Sequence, residues 1–176
     1  MRASPNDLAR KVAAEGVGTA FLVAAVIGSG VMATNLTRDH GLRLLINSVV
    51  TGAALVALVL ALQPVSAAFN PVVTAVEALL GRITWREAGF FSVAQVGGGV
   101  LGAVVANLMF NLDAVTLSTH ERSGTGPWIG EIVATLGLVL VVFGSIGTGL
   151  AAVMVRVLYP AVRGLADTGP ERGRSG

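Results

Sequence analysis

The sequence predicts an all-α integral membrane protein, and three observations support that fold class. Of the 176 residues, 53% are hydrophobic and 12% are charged, which is about half the charged fraction of an average soluble domain. The mean hydropathy is +0.77, so the chain has too few polar residues to coat a soluble globule. Four runs of the chain carry no charge and are each long enough to cross a hydrocarbon core, which takes about 20 residues. They are residues 16–37, 44–76, 88–112 and 132–155.

The same composition excludes several classes of protein. The chain has no cysteine, so a disulfide scaffold and a thiolate metal site are both excluded. Basic residues lie between the apolar runs instead of on one face, which argues against a nucleic-acid partner. No Ser-His-Asp or paired-carboxylate arrangement suggests catalysis. We therefore expect no enzyme, no cofactor and no metal, and a lipid bilayer as the surroundings.

The second uncharged run is too long for one membrane span and too short for two. Residues 44–62 make one span, and Pro64 ends it because proline removes a backbone donor. Asn70 is a good helix cap and Pro71 suits the first helical position. A helix over 70–80 would cross only half of the membrane, so this pattern predicts a re-entrant half-helix. Non-helical backbone at that depth survives only inside protein or beside a water-filled cavity.

The distribution of charge predicts the orientation. Of the 12 Lys and Arg residues, nine fall at the N-terminus, after the half-helix or at the C-terminus. Four full spans place these three segments on one side, and cytoplasmic segments carry the Lys/Arg excess. We expect both termini in the cytoplasm and the protein in the cell (plasma or inner) membrane.

An internal repeat relates the first span to the fourth. Residues 15–30 match residues 131–146 at eight of sixteen positions, including Glu15 with Glu131. The first copy starts from the cytoplasmic side and the second from outside, which predicts an inverted repeat with a site at the midplane. The second repeat is expected to be incomplete. The predicted organisation is a first repeat at 1–110, an outer loop at 111–130, the first helix of the second repeat at 131–158 and a polar cytoplasmic tail at 159–176.

Several short motifs give the chain a family resemblance over about residues 10 to 155. They are Ala14-Glu15 with Gly18-Thr19, Thr51-Gly52, Ser66 with Phe69-Asn70-Pro71-Val72-Val73-Thr74, Ala94-Gln95, and Glu131 with Thr135. With these motifs the chain resembles the major intrinsic proteins, the aquaporins and aquaglyceroporins. The resemblance implies tetramers of six-helix channels in which two half-helices meet head to head.

The chain departs from that family's pattern at specific places. Val72 stands where the family usually has Ala after Asn-Pro, and the preceding loop is one residue shorter and lacks His. By the resemblance, Thr51 occupies the aromatic filter position of the second span, and a small residue there suggests a wider filter. The filter arginine and the second Asn-Pro-Ala have no counterpart before the sequence ends, which predicts a truncated or divided channel.

The candidate pore residues surround the Asn-Pro step. Asn70 is expected to donate its side-chain amide to a passing solute, and Phe69, Pro71 and Val72 belong to the same pore segment; an ordinary helix cap is the alternative. Glu15 is expected to accept hydrogen bonds from the irregular loop, and Glu131 from a second loop. A glutamate in a first helical turn or a proton relay are the alternatives.

These observations predict a membrane channel for water or small uncharged solutes, with glycerol-like solutes or metalloid hydroxides as candidates. A lone half-helix leaves the opposite wall open, so we expect the chain to be incomplete alone. It would then be a truncated channel, or one completed by a homo-oligomer (a tetramer by the resemblance) or by a complementing polypeptide. The alternative is a secondary transporter or a non-conducting membrane interaction protein.

Overall fold

The computed structural model describes residues 5–115 and 124–147, and these residues form five helices. The helices are α1 (Pro5–Leu36), α2 (His40–Leu62), α3 (Pro71–Leu79), α4 (Trp85–Met109) and α5 (Thr125–Gly147). Within those two ranges there is no strand. The described residues belong to two units, the first holding α1 to α4 and the second holding α5.

Three helices are long and apolar enough to cross a membrane: Asn6–Leu36, His40–Leu62 and Trp85–Met109. They match the first three predicted spans, except that α1 ends at Leu36 and α4 at Met109, whereas the uncharged runs continue to 37 and 112. The helix of the fourth predicted span, α5, begins at Thr125 and not at 131, because a proline in the first turn of a helix is tolerated. Within it, Trp128–Phe143 is a shorter apolar helical stretch. The predicted span continues to 155, and its last part and the tail at 159–176 lie outside the described residues.

Within the first unit, α1 contacts both α2 and α4, and α3 contacts α4. The contact between α1 and α4 is close because glycines face backbone. A Cβ atom added at Gly98 would lie 2.2 Å from the carbonyl oxygen of Gly16, and one at Gly102 would lie 2.2 Å from that of Ala20. Small residues four positions apart are a common device for close helix packing in membranes.

The contact between α1 and α2 includes two polar side chains of α2 at half-buried positions. The side-chain amide of Asn47 donates to the carbonyl of Val26 at 2.8 Å and to Oγ of Ser29 at 2.9 Å. Arg43 donates through Nε to the carbonyl of Thr37 at 2.7 Å, just beyond the last residue of α1. Unpaired carbonyls at a helix C-terminus are satisfied in this way by basic side chains.

The core of the first unit is unusually polar for so apolar a chain. Its largest fully buried side chains include Glu15, Thr74 and Gln95 beside Phe91 and Val73. Many large apolar side chains of the same helices are exposed instead. A polar interior with an apolar exterior is the arrangement that a lipid environment favours, because buried polar groups then have partners and the outside meets hydrocarbon.

Candidate functional site

The candidate site begins where α2 ends and the chain turns toward α3. The N–H groups of Val65 and Ser66 both donate to the carbonyl of Leu62, at 2.8 and 2.9 Å. The following residues are not helical until Pro71. This stretch of backbone has few internal hydrogen bonds, so its remaining N–H groups need acceptors from elsewhere.

Asn70 is the N-cap of α3. Its backbone is extended, with φ −149° and ψ 123°, and its Oδ1 accepts the N–H of Val72 at 2.8 Å. Pro71 follows at the first helical position, where its missing N–H costs nothing. Because Oδ1 is engaged in the cap, the orientation of the amide is fixed, and Nδ2 bonds to no group in the described part of the chain.

Glu15 lies buried in α1, with 0% of its surface exposed, and accepts hydrogen bonds from four donors. Oε1 accepts from the hydroxyl of Ser66 and from the N–H of Ala68, the latter at 2.9 Å. Oε2 accepts from the N–H of Phe69 at 2.7 Å and from Nε2 of Gln95 at 2.8 Å. The two oxygens therefore have two donors each, and three of the four donors come from the loop before α3.

Gln95 of α4 connects this carboxylate to the half-helix. Its Nε2 donates to Glu15 and also to Oγ1 of Thr74, at 2.9 Å. Thr74 lies one turn after Asn70 and is fully buried. The two amide hydrogens thus join α1 and α3 through one side chain of α4. Its Oε1 has no hydrogen-bond partner within the described ranges.

Phe69 has a left-handed backbone conformation, with φ 49°. A bulky side chain seldom adopts this conformation, which costs about 1–3 kcal/mol and persists only where surrounding contacts enforce it. The side chain is 5% exposed, and its ring lies against Gly18 of α1: a Cβ at Gly18 would be 2.0 Å from Cε1 of the ring.

The remaining predicted site residues lie in different surroundings. Val72 is 46% exposed at the start of α3. Thr51 lies in α2, and its buried Oγ1 has no hydrogen-bond partner among the residues described. Glu131 lies exposed on α5 in the second unit, and its expected contact with a second loop stays a prediction. Across residues 5–115 and 124–147 no group of three or more side chains could hold a metal ion.

Three contributors to this site have no assigned role in the sequence analysis: Gln95, Thr74 and Gly18. Gln95 carries a signal that sequence can supply, since an amide inside an apolar span is costly unless it has partners. The identity of those partners depends on how the helices are rotated and crossed. Gly18 resembles any other small residue of a membrane helix until the position of Phe69 is known.

Comparisons with known proteins all point to one family. The family described as "Major intrinsic protein" matches residues 2–160. "Aquaglyceroporin AqpS" of Rhizobium meliloti (strain 1021) is 47% identical over 141 residues, covering 80% of this chain and 60% of the relative. "Aquaporin NIP1-1" of Zea mays is 32% identical over 144 residues, covering 77% and 48%.

"Probable aquaporin TIP2-2" of Oryza sativa subsp. japonica is 34% identical over 150 residues, covering 77% of this chain and 59% of the relative. The chain thus spans about half to three-fifths of the length of these relatives. No solved structure matches it.

Proposed function

The chain belongs to the major intrinsic protein family, and from that premise we propose that it forms part of a membrane channel for water or small uncharged solutes. It is a membrane protein and not an enzyme. The observation that supports the channel role best is the geometry of Asn70: its Oδ1 is committed to the helix cap, which leaves the two hydrogens of Nδ2 to face a solute.

A donor of this kind suits a hydroxyl or a water oxygen. An uncharged solute that loses part of its hydration in the pore regains a hydrogen bond from Nδ2 of Asn70. The N-terminus of α3 adds partial positive charge at the same point, since the N–H groups of its first turn point that way. The pair favours neutral oxygen-bearing solutes and disfavours cations, protons included.

Glu15 supports this site in the proposal by holding the loop. Non-helical backbone within a membrane needs partners for its N–H groups, and each unsatisfied group costs several kcal/mol. Glu15 supplies acceptors to Ala68 and Phe69, immediately before Asn70. With four donors on two oxygens, the carboxylate is committed to structure, which argues against a proton relay and so against the transporter alternative.

Two observations bear on the class of solute. A relative that shares 47% identity is named an aquaglyceroporin, and the filter position that the resemblance gives to Thr51 holds a small side chain. Glycerol-like solutes therefore lead the proposal, with metalloid hydroxides and water as the alternatives.

The proposed assembly has the topology of an inverted repeat. In this proposal three full spans and the half-helix α3 form one complete repeat, a fourth span begins the second, inverted repeat, and both termini lie on the cytoplasmic side of the cell membrane. Nine residues rise about 14 Å, roughly half the hydrocarbon thickness. The wall opposite Asn70 would come from a second family-type half-helix. Assembly into a homo-oligomer (a tetramer by family resemblance) or with a complementing polypeptide is part of the same proposal.

Stopped-flow light scattering of liposomes that contain the purified chain tests this proposal. We expect shrinkage in an osmotic gradient and re-swelling with glycerol to be faster than in empty liposomes. Asn70→Asp keeps the capping oxygen, removes the Nδ2 donor and should abolish most of the added permeability. Asn35→Asp, at an exposed asparagine near the end of α1, is the matched control. Parent liposomes that behave like empty ones would contradict a channel formed by this chain alone or by its homo-oligomer.

A further inference from the structure

The loop before the half-helix is held to α1 at two points that lie one helical turn apart. The carboxylate of Glu15 accepts the N–H of Phe69 at 2.7 Å, and the ring of Phe69 lies on Gly18. Residues three positions apart share one face of a helix. One face of α1 therefore contacts both the backbone and the side chain of the residue that precedes Asn70.

The space that the ring occupies exists only because residue 18 has no side chain. A Cβ atom at Gly18 would lie 2.0 Å from Cε1 of the Phe69 ring and 2.6 Å from Cδ1 and Cζ, far inside van der Waals contact. Phe69 is buried and its backbone is left-handed. An aromatic ring is rigid, so it can yield to such a Cβ only by a change of side-chain rotamer or by movement of the chain.

We propose that Gly18 is a positioning residue of the Asn70 site: its bare Cα seats the ring of Phe69 and so holds the left-handed turn that directs Asn70. This inference rests on the proposed function of Asn70. With the seat and the Glu15 contact both present, φ of Phe69 is fixed, and this angle sets the direction in which the chain enters α3. If a side chain at position 18 fills this space, the ring of Phe69 is displaced. Phe69 then leaves the left-handed conformation, and the orientation of Asn70 changes.

A spin label tests the contact between Gly18 and the ring of Phe69, and this test does not require that the protein conducts. The chain has no cysteine, so Val72→Cys carries a single nitroxide next to the cap, at a position that is 46% exposed. Gly18→Ala in this background is expected to shift the electron paramagnetic resonance line shape at position 72. Gly89→Ala is the matched control, because a Cβ there meets nothing within 4 Å, and it should leave the line shape unchanged.

A second substitution, Phe69→Ala, removes the ring, and together with Gly18→Ala it makes a double-mutant cycle. Gly18→Ala should shift the line shape when Phe69 is present and should add no shift when Phe69 is Ala. A line shape that Gly18→Ala leaves unchanged would overturn the proposal, and so would equal shifts with and without the ring. If Gly18→Ala is lost from the membrane, recovery of the protein by Phe69→Ala supports the seat, and no recovery overturns it.

The same preparations separate the two proposals. If the effect of Gly18→Ala on the line shape depends on Phe69 but the parent chain gives no flux in liposomes, the proposal for Gly18 stands and a channel formed by this chain alone is contradicted. If the parent chain conducts and Gly18→Ala changes neither the line shape nor the flux, the channel proposal stands and the proposal for Gly18 is contradicted. Where both hold, Gly18→Ala also changes the ratio of glycerol to water permeability, which a uniform loss of folded protein would not alter.

Discussion

The two sides of α1 differ in how they use polar groups. On the side of α3 and α4, Glu15, Gln95 and Thr74 are fully buried and bonded to one another or to the loop. On the side of α2, Asn47 lies half-buried and bonds to groups of an intact helix, and α2 itself has no buried residue. The polar groups on the first side bond to loop backbone that lacks hydrogen-bond partners of its own. Those on the second side join two helices whose backbone hydrogen bonds are already formed.

The same contrast appears in the approach of the backbones. Gly98 and Gly102 bring α4 against the carbonyls of Gly16 and Ala20, whereas Gly52 of α2 has open space around it. Close packing on the α4 side fixes the helix positions to which the Glu15 network is matched. We therefore expect substitutions on that side to be costly and those on the α2 side to be mild.

The largest expected effect is that of Glu15→Leu. It leaves three donors of the loop and one of the two N–H bonds of Gln95 Nε2 without an acceptor, and unsatisfied buried groups cost about 1–3 kcal/mol each. Some donors will find water, so we expect the free energy of unfolding to fall by about 4 kcal/mol. Unfolding of the detergent-solubilised chain by sodium dodecyl sulfate, followed by circular dichroism, measures it. Asp113→Asn, an exposed carboxylate, should change it by less than about 0.5 kcal/mol.

Gly98→Ala comes next, because the added methyl would overlap the backbone of Gly16 and not a side chain that can move. Overpacking of this kind typically costs about 1–3 kcal/mol, and we expect the upper end. Gly97→Ala is the matched control, since nothing lies within 4 Å of a Cβ there. The same unfolding titration applies, and equal stability of the two variants would refute the close approach of α1 and α4.

A smaller effect is expected from the bond between Gln95 and Thr74. Gln95→Leu and Thr74→Val each leave one partner of a buried pair unsatisfied, so a double-mutant cycle should give a coupling of about 1 kcal/mol. The cycle is measured as differences in the free energy of unfolding. Purely additive effects would mean that Gln95 does not join α4 to α3.

The mildest expected change is Asn47→Leu on the α2 side. Hydrogen bonds between membrane helices average about 0.6 kcal/mol, and the leucine replaces the amide with a side chain that hydrocarbon accepts. A loss of that size in the unfolding titration supports the contrast between the two sides of α1. A loss as large as that of Glu15→Leu would remove the contrast.

Much of this arrangement could be predicted from sequence because its signals are local. Uncharged runs located three helices, and the Asn70-Pro71 step located the start of α3. The family resemblance is confirmed by the match over residues 2–160. The high cost of a carboxylate in an apolar span indicated that Glu15 needs partners, and the structure places the N–H groups of Ala68 and Phe69 there; the part that Glu15 plays in a pore stays a prediction. The start of α5 was missed, since a polar, glycine-containing stretch was interpreted as a loop.

The long-range partners could not be predicted in the same way. Glu15 and Gln95 are 80 residues apart, and Gln95 and Thr74 are 21 apart. An amphipathic helix shows by its periodicity which face is buried. Membrane spans that are apolar on all faces give no such signal, so the sequence does not determine how each helix is rotated about its axis.

The sequence alone determined which segments are helices suited to a membrane, where the short helix begins and which costly polar residues need partners, because hydropathy, capping and proline chemistry act over a few residues. Only the tertiary structure decided that Gly18 lies under the ring of Phe69, that Glu15 meets four donors and that Gln95 joins three elements. Those outcomes depend on the crossing of α1 and α4, and the close approach of their glycines sets that crossing in space.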